Sequence, residues 1–210
     1  MFVLASASKA RQKLLDQIAL RHKVIVSDFD ETQVQESDPL MKVKLLAKAK
    51  ADNALKKLIP ANKALKHFQA LLACDSIFEF EGEIFGKPSN KEQLISRWQR
   101  MSGKTGFLHT GHYLLSLDRR FDEKTISPNR FCEDVVSTKI EFMFLSNIEI
   151  INYASVSEPY NCAGGFAIEG KGGLFIKKIN GCFSNVIGLS LPWLKINLEK
   201  LGLSELLLDS

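Results

Sequence analysis

Cysteine is scarce and scattered: the four, Cys74, Cys132, Cys162 and Cys182, form no C-x-x-C pair. That excludes a zinc knuckle and a dense disulfide frame, and leaves reduced thiols in small buried positions as the expectation. No apolar run reaches the ~18 residues of a membrane span, and no basic stretch precedes an apolar one at the start. With an apolar run already beginning at residue 2 there is no room for a targeting segment, so a cytoplasmic protein without a membrane partner is expected. Charge imbalance is also slight, 28 basic residues against 24 acidic ones for a net charge of +4. No basic stripe interleaved with aromatics accompanies it, which argues against nucleic acid and suits a small anionic ligand. Repeats, low-complexity stretches and linkers are absent, so one domain is expected over the 210 residues, 45% of them hydrophobic.

What is present begins with Phe2–Leu15. Phe2-Val3-Leu4 reads as a buried strand, Ala5–Ser8 as a tight turn of small residues, and Ala10 onward as a helix burying Leu14, Leu15, Ile18 and Ala19. Ser8 is either a plain helix cap or, with Ser6, Arg11 and the unpaired N–H groups of the helix start, part of a cradle for phosphate oxygens. Val24–Val26 reads as a second strand, followed by an acidic loop, Ser27–Thr32, whose carboxylates either solvate a turn or face a cation. Asp38-Pro39 opens a helix running through Met41–Leu58, with Val43, Leu45, Leu46, Ala49, Ala54, Leu55 and Leu58 apolar. A weaker helix is expected over Lys63–Ala70. Ala70–Ala73 reads as a strand ending at Cys74-Asp75-Ser76, and Ile77–Phe80 and Glu83–Phe85 as a hairpin about Glu81-Gly82. Ser89-x-x-Glu92 and Ser146-x-x-Glu149 are capping boxes for helices to about Met101 and Val156. Strands are expected over Phe107–Leu117, Phe131–Leu145 and Leu174–Ile179, an exposed charged loop over Asp118–Asn129, and a last helix from Ser190-Leu191-Pro192 to Gly202.

Two apparent motifs fail on spacing. Ser102-Gly103-Lys104-Thr105 resembles a phosphate loop, yet Trp98 stands where the first glycine belongs and a strand follows instead of a helix. His109 and His112 lack further zinc ligands at useful spacing and read as polar tips on a sheet. Ala163–Gly173, with five glycines in eleven residues, leaves backbone open to a base or a phosphate, or simply makes a strained turn.

Taken together, SASKAR (Ser6–Arg11), DFDET (Asp28–Thr32), LAKAKA (Leu46–Ala51), ACDS (Ala73–Ser76), EIFGKP (Glu83–Pro88), the Ser102–Gly111 stretch, AGGFAIEGKGGLF (Ala163–Phe175) and SNVIGLSLP (Ser184–Pro192) resemble the Maf family in type and order. The resemblance implies an elongated α/β fold, a mixed sheet flanked by helices, related to the inosine triphosphate pyrophosphatases. It implies hydrolysis of a nucleoside triphosphate, standard or modified, to the monophosphate and pyrophosphate with Mg²⁺ or Mn²⁺, and a possible homodimer. Carried over position by position, the resemblance implies that Ser8 and Arg11 contact the triphosphate with Ser6 beside them, that Glu31 and Asp75 hold the metal, and that Asp75, Lys50 and Lys87 are catalytic. Ser76 and Glu169 fall where the family sorts bases. Glu169 replaces a common glutamine and leans toward 7-methyl-GTP, while Ala10 and Ser76 fit neither that branch nor the dTTP and UTP branch.

The residue chemistry fits this reading. Arg11, Lys50 and Lys87 offset the polyphosphate charge, Glu31 and Asp75 are hard oxygen donors, and Asp75 can accept a proton from the water that attacks the α-phosphorus. The alternatives are a non-catalytic nucleotide-binding regulator of cell division, the role behind the family's older name of septum-formation inhibitor, and a phosphatase releasing inorganic phosphate.

Overall fold

A computed structural model describes residues 1–58, 67–117 and 130–208. Among these, seven strands form one mixed sheet in the order β2-β1-β3-β5-β6-β7, with β4 beside β3. The strands are β1 (Phe2–Leu4), β2 (His22–Val24), β3 (Ala70–Phe80), β4 (Glu83–Phe85), β5 (Thr105–Ser116), β6 (Phe131–Phe142) and β7 (Ile176–Asn180). Helices α1 (Lys9–Gln17), α2 (Pro39–Leu58), α3 (Lys91–Met101), α4 (Asn147–Tyr153), α5 (Phe183–Ile187) and α6 (Leu191–Lys200) complete the set. Strand β1 pairs in parallel with both β2 and β3, whereas β3–β4 and β6–β7 are antiparallel. Phe2, Val3 and Leu4 are fully buried, as a parallel strand flanked on both sides requires.

The chain divides into two compact units: Met1–Asp75, Thr110–Val136 and Gly188–Ser210 in the first, Ser76–His109 and Ser137–Ile187 in the second. Each has its own core. Val3, Ala5, Ala47, Ala51, Leu55, Leu71 and Tyr113 belong to one; Phe78, Leu94, Trp98, Phe142, Tyr153 and Phe166 belong to the other. The divisions fall inside β3, β5 and β6, so no linker composition marks them in the sequence. Among the described residues no helix is long and apolar enough to cross a membrane.

Several boundaries differ from the expectations for physical reasons. Strand β2 is His22–Val24, because β1 offers three residues to pair with and the register sets Phe2 against His22. Helix α1 stops at Gln17: Ala19 turns left-handed (φ 53°), its N–H donating to Asp16 O and that of Leu20 to Leu15 O, a Schellman closure that buries Leu20 and leaves Ala19 exposed. In α2, Ala47 and Ala51 join the buried stripe and Leu45 does not. Strand β3 does not end at Cys74-Asp75-Ser76 but runs through it. The α3 cap is Asn90, accepting from Gln93 N–H, one residue past Ser89. Strand β6 ends at Phe142, so Thr138, Ile140 and Phe142 are buried while Phe144 is 88% exposed. Helix α4 has both arms of its Ser146–Glu149 box but closes at Tyr153.

In the last helix, Ile196 is half exposed and Asn197 takes an inward place. His109 and His112 are not polar tips: both are buried. His109 is bonded to Ser137 Oγ (2.7 Å) and Glu79 Oε2 (2.9 Å). The expected loop over Asp118–Asn129 and residues 63–66 of the expected helix over Lys63–Ala70 lie outside the described residues; the described half of that helix is not α-helical, and Ala70 begins β3.

Candidate active site

In the first unit, the turn between β1 and α1 is built from its own hydroxyls. Ser8 caps α1, its Oγ accepting from the Arg11 N–H at 3.3 Å, and Ser6 Oγ accepts from the Ser8 N–H at 3.2 Å. Arg11, 8% exposed, donates through Nη1 to Ser6 Oγ (3.2 Å) and Cys74 O (2.8 Å), and through Nε to Gly188 O (2.7 Å). Past Leu72, where β1 no longer pairs with β3, Arg11 bonds Cys74 O while β5 is the neighbour of β3 on its other edge. Strand β1 ends at Leu4 and Ala5 N–H makes the last ladder bond, to Leu72 O; the guanidinium then supplies the donor that a longer β1 would have given.

In the same unit, three residues from three segments meet. Lys50 Nζ on α2 donates to Glu31 Oε1 at 2.6 Å and also to Asp75 Oδ1. Asp75 is 7% exposed, and burial raises its carboxyl above the ordinary aspartate range, with the negative Glu31 adding to the rise and Lys50 and Arg11 opposing it. Glu31, by contrast, is well exposed, its side chain 58% accessible.

The acidic loop that presents Glu31 is held by α2. Asn53 Nδ2 donates to Ser27 O at 2.5 Å; Lys57 Nζ donates to Val26 O at 2.8 Å and pairs with Asp28. Asp30 closes the turn, accepting from Thr32 N–H (3.1 Å) and Thr32 Oγ1 (2.7 Å), bonds that hold its carboxyl low. Lys50, Asn53 and Lys57 follow i, i+3, i+7 spacing, one face of one helix. Sequence reasoning missed Asn53 and Lys57, although that polar stripe was there to be read.

His112 was missed as well. Its Nε2 accepts from Ser190 N–H at 2.9 Å and its ring leans on Trp193 with centroids 4.7 Å apart. Burial, then the charge of Arg11, pulls its pKa down to about 3, so the ring is neutral and pins the residues after Gly188, whose carbonyl receives Arg11. Nothing in the H-x-x-H spacing announces this role.

Ser76, Lys87 and Glu169 belong to the second unit. Ser76 is half-buried in β3, whereas Lys87 and Glu169 are exposed. Both lie within electrostatic reach of Cys162: burial chiefly, then Glu169 and Glu158, push that thiol up to about 11 against the pull of Lys87.

For a divalent cation the protein offers two carboxylates that already converge on one ammonium. No group of three or more His, Cys, Asp or Glu is placed to hold a metal among the described residues. That donor set fits an ion of the Mg²⁺ type, which takes one or two carboxylates and fills its shell from waters and substrate phosphates, and does not fit a closed all-protein cage. Such an ion would be held by Glu31 and Asp75.

Residues 1–201 match the family model described as Maf-like protein. A nucleoside triphosphate pyrophosphatase of Prochlorococcus marinus (strain NATL1A) is 80% identical over 210 residues, all of both chains. Proteins of the same name from Synechococcus sp. (strain CC9605) and Prochlorococcus marinus (strain MIT 9301) are 48% and 46% identical, covering 92% and 95% of this chain and 98% and 100% of theirs. Among solved structures, the Staphylococcus aureus Ham1 protein is 16% identical over 68% of this chain and 70% of that one, with a TM-score of 0.36. The chain belongs to the Maf family.

Proposed function

We propose that the chain hydrolyses nucleoside triphosphates to the monophosphate and pyrophosphate. The observation that carries this reading is the Lys50 ammonium shared by Glu31 and Asp75, within a unit whose first turn sets Ser6, Ser8 and Arg11 at a helix start. The activity named for relatives at 80% and 48% identity supports the same reading.

Asp75 accepts the proton of the water that attacks the α-phosphorus; its raised pKa makes it a better base than a solvated aspartate. Lys50 fixes the orientation of both carboxylates. The α1 N-terminus and Ser8 orient phosphate oxygens. A bound Mg²⁺ or Mn²⁺ supplies charge neutralisation on the polyphosphate.

Product identity tests the reading. Incubation with a triphosphate panel and Mg²⁺ is expected to release one pyrophosphate per monophosphate. Orthophosphate as the first product would make the chain a phosphatase, and nucleotide binding without turnover would leave it a regulator.

A further inference from the structure

The glycine-rich segment folds around a single carboxylate. Glu158, first residue of a short 3-10 turn, accepts from the Lys171 N–H through Oε2 and from the Gly172 N–H through Oε1, each at 3.1 Å. The Tyr153 hydroxyl donates to the same Oε1 at 3.0 Å and accepts from the Ala167 N–H at 3.3 Å. These bonds close both flanks of Ile168–Gly170, the stretch that carries Glu169.

The approach is tight enough to dictate composition. A Cβ on Gly170 would lie 2.1 Å from Glu158 Oε2, and one on Gly172 would lie 2.6 Å from the Tyr153 hydroxyl oxygen. Tyr153 is in turn fixed from behind, edge-to-face with Trp98 at 5.5 Å and with Phe175 at 5.2 Å. Burial and the adjacent Glu158 raise its pKa, so the phenol keeps the proton it donates. The chain from aromatic core to loop tip is continuous: Trp98 and Phe175 hold Tyr153, Tyr153 and Glu158 hold the loop, and the loop presents Glu169.

We propose that Glu158 is a positioning residue which, with Tyr153, fixes Glu169 and so sets discrimination among triphosphates by whether their base edge offers two adjacent N–H donors, as guanine N1–H and N2–H do, or the single N3–H of thymine. This rests on the reading of Glu169 as the residue facing the base. A carboxylate at Glu169 accepts from paired N–H groups only if its backbone is held still, because an acceptor free to move loses orientation to both.

The test compares Glu158→Gln, Tyr153→Phe and Glu169→Gln with the unaltered enzyme, using 7-methyl-GTP and dTTP as probes. Glu158→Gln keeps the shape but sets an amide against one of the two backbone N–H groups. It is expected to raise KM for 7-methyl-GTP about tenfold, to leave KM for dTTP within about twofold, and to lower kcat less than about threefold. Tyr153→Phe, which retains the ring packing, should move the same ratio in the same direction and serves if Glu158→Gln fails to fold. Hydrogen exchange should show the Lys171 and Gly172 amides losing protection in Glu158→Gln. A Glu158→Gln enzyme whose amides exchange faster while its preference ratio stays put overturns the proposal, as does an equal loss for both nucleotides, the mark of a purely structural role. If Glu169→Gln shifts the ratio and Glu158→Gln does not, the positioning role alone fails. If Glu169→Gln leaves the ratio unaltered, the base reading falls and takes this proposal with it.

Discussion

Burial works on Asp75 in two directions. It raises the carboxyl pKa, which improves the residue as a proton acceptor and penalises its charged form in the folded protein. A raised folded-state pKa contributes stability below the unfolded value of 3.8, and that contribution is lost as pH rises through the folded value. At neutral pH the charged Asp75 therefore lowers stability, and that charged form is the one the proposed reaction uses as base. Asp75→Asn should accordingly cost about a hundredfold or more in pyrophosphate release without lowering Tm at pH 7, checked by product assay and thermal melt. In the unaltered enzyme the acid limb of kcat/KM should lie at higher pH than a solvated aspartate would give, and that limb should be missing from residual Asp75→Asn activity. Release near the normal rate would remove Asp75 from the chemistry.

At the scale of single elements, two close fits can be tested. Gly111 on β5 faces the α2 backbone so closely that a Cβ would stand 2.1 Å from Val43 O and 2.4 Å from Val43 C. Gly111→Ala must push α2 away, at an expected cost of about 3 kcal/mol. Because α2 carries Lys50, Asn53 and Lys57, kcat should fall along with Tm; an unchanged kcat would show that the helix can shift without disturbing Lys50. The α1 terminus is the opposite case. Ala19 is exposed and left-handed where glycine is favoured, so Ala19→Gly should raise stability by about 0.5–1 kcal/mol in a denaturant titration and leave turnover alone.

Such local features differ in how much of them the chain announces. Asp38-Pro39 was legible as the start of α2, and Asp38 does accept from Leu40 and Met41 N–H, because cap and donors lie within three residues. The continuity of β3 was not. Cys74-Asp75-Ser76 looks like a turn until Arg11 and Lys50, distant in sequence, are brought to its polar groups.

For the molecule as a whole, ligand and metal should act together. Glu31 and Asp75 are engaged by Lys50, and two carboxylates leave most of an octahedral shell to waters and phosphates. Mg²⁺ alone at low millimolar concentration is therefore expected to move Tm by less than about 1 °C. Mg²⁺ with a non-hydrolysable triphosphate at about a hundred times its Kd should add about 2.7 kcal/mol, a rise of roughly 5–10 °C for a chain of this size. Equal shifts with and without nucleotide would mean a metal site independent of the phosphates.

The sequence by itself determined the family, the mixed α/β character, and the pieces whose bonds close within a turn: the Ser8 cap, the Asp38 cap, the Ser146–Glu149 box. Only the tertiary structure decided that Lys50 reaches Glu31 and Asp75 across 19 and 25 residues, that His112 is a buried neutral acceptor, and that Glu158 gathers the glycine-rich segment. The reason lies in range. A cap is fixed by the backbone geometry of its own few residues, so its pattern is written locally. An ammonium between two carboxylates depends on where a whole helix packs, and that is set by the apolar stripe on its other face.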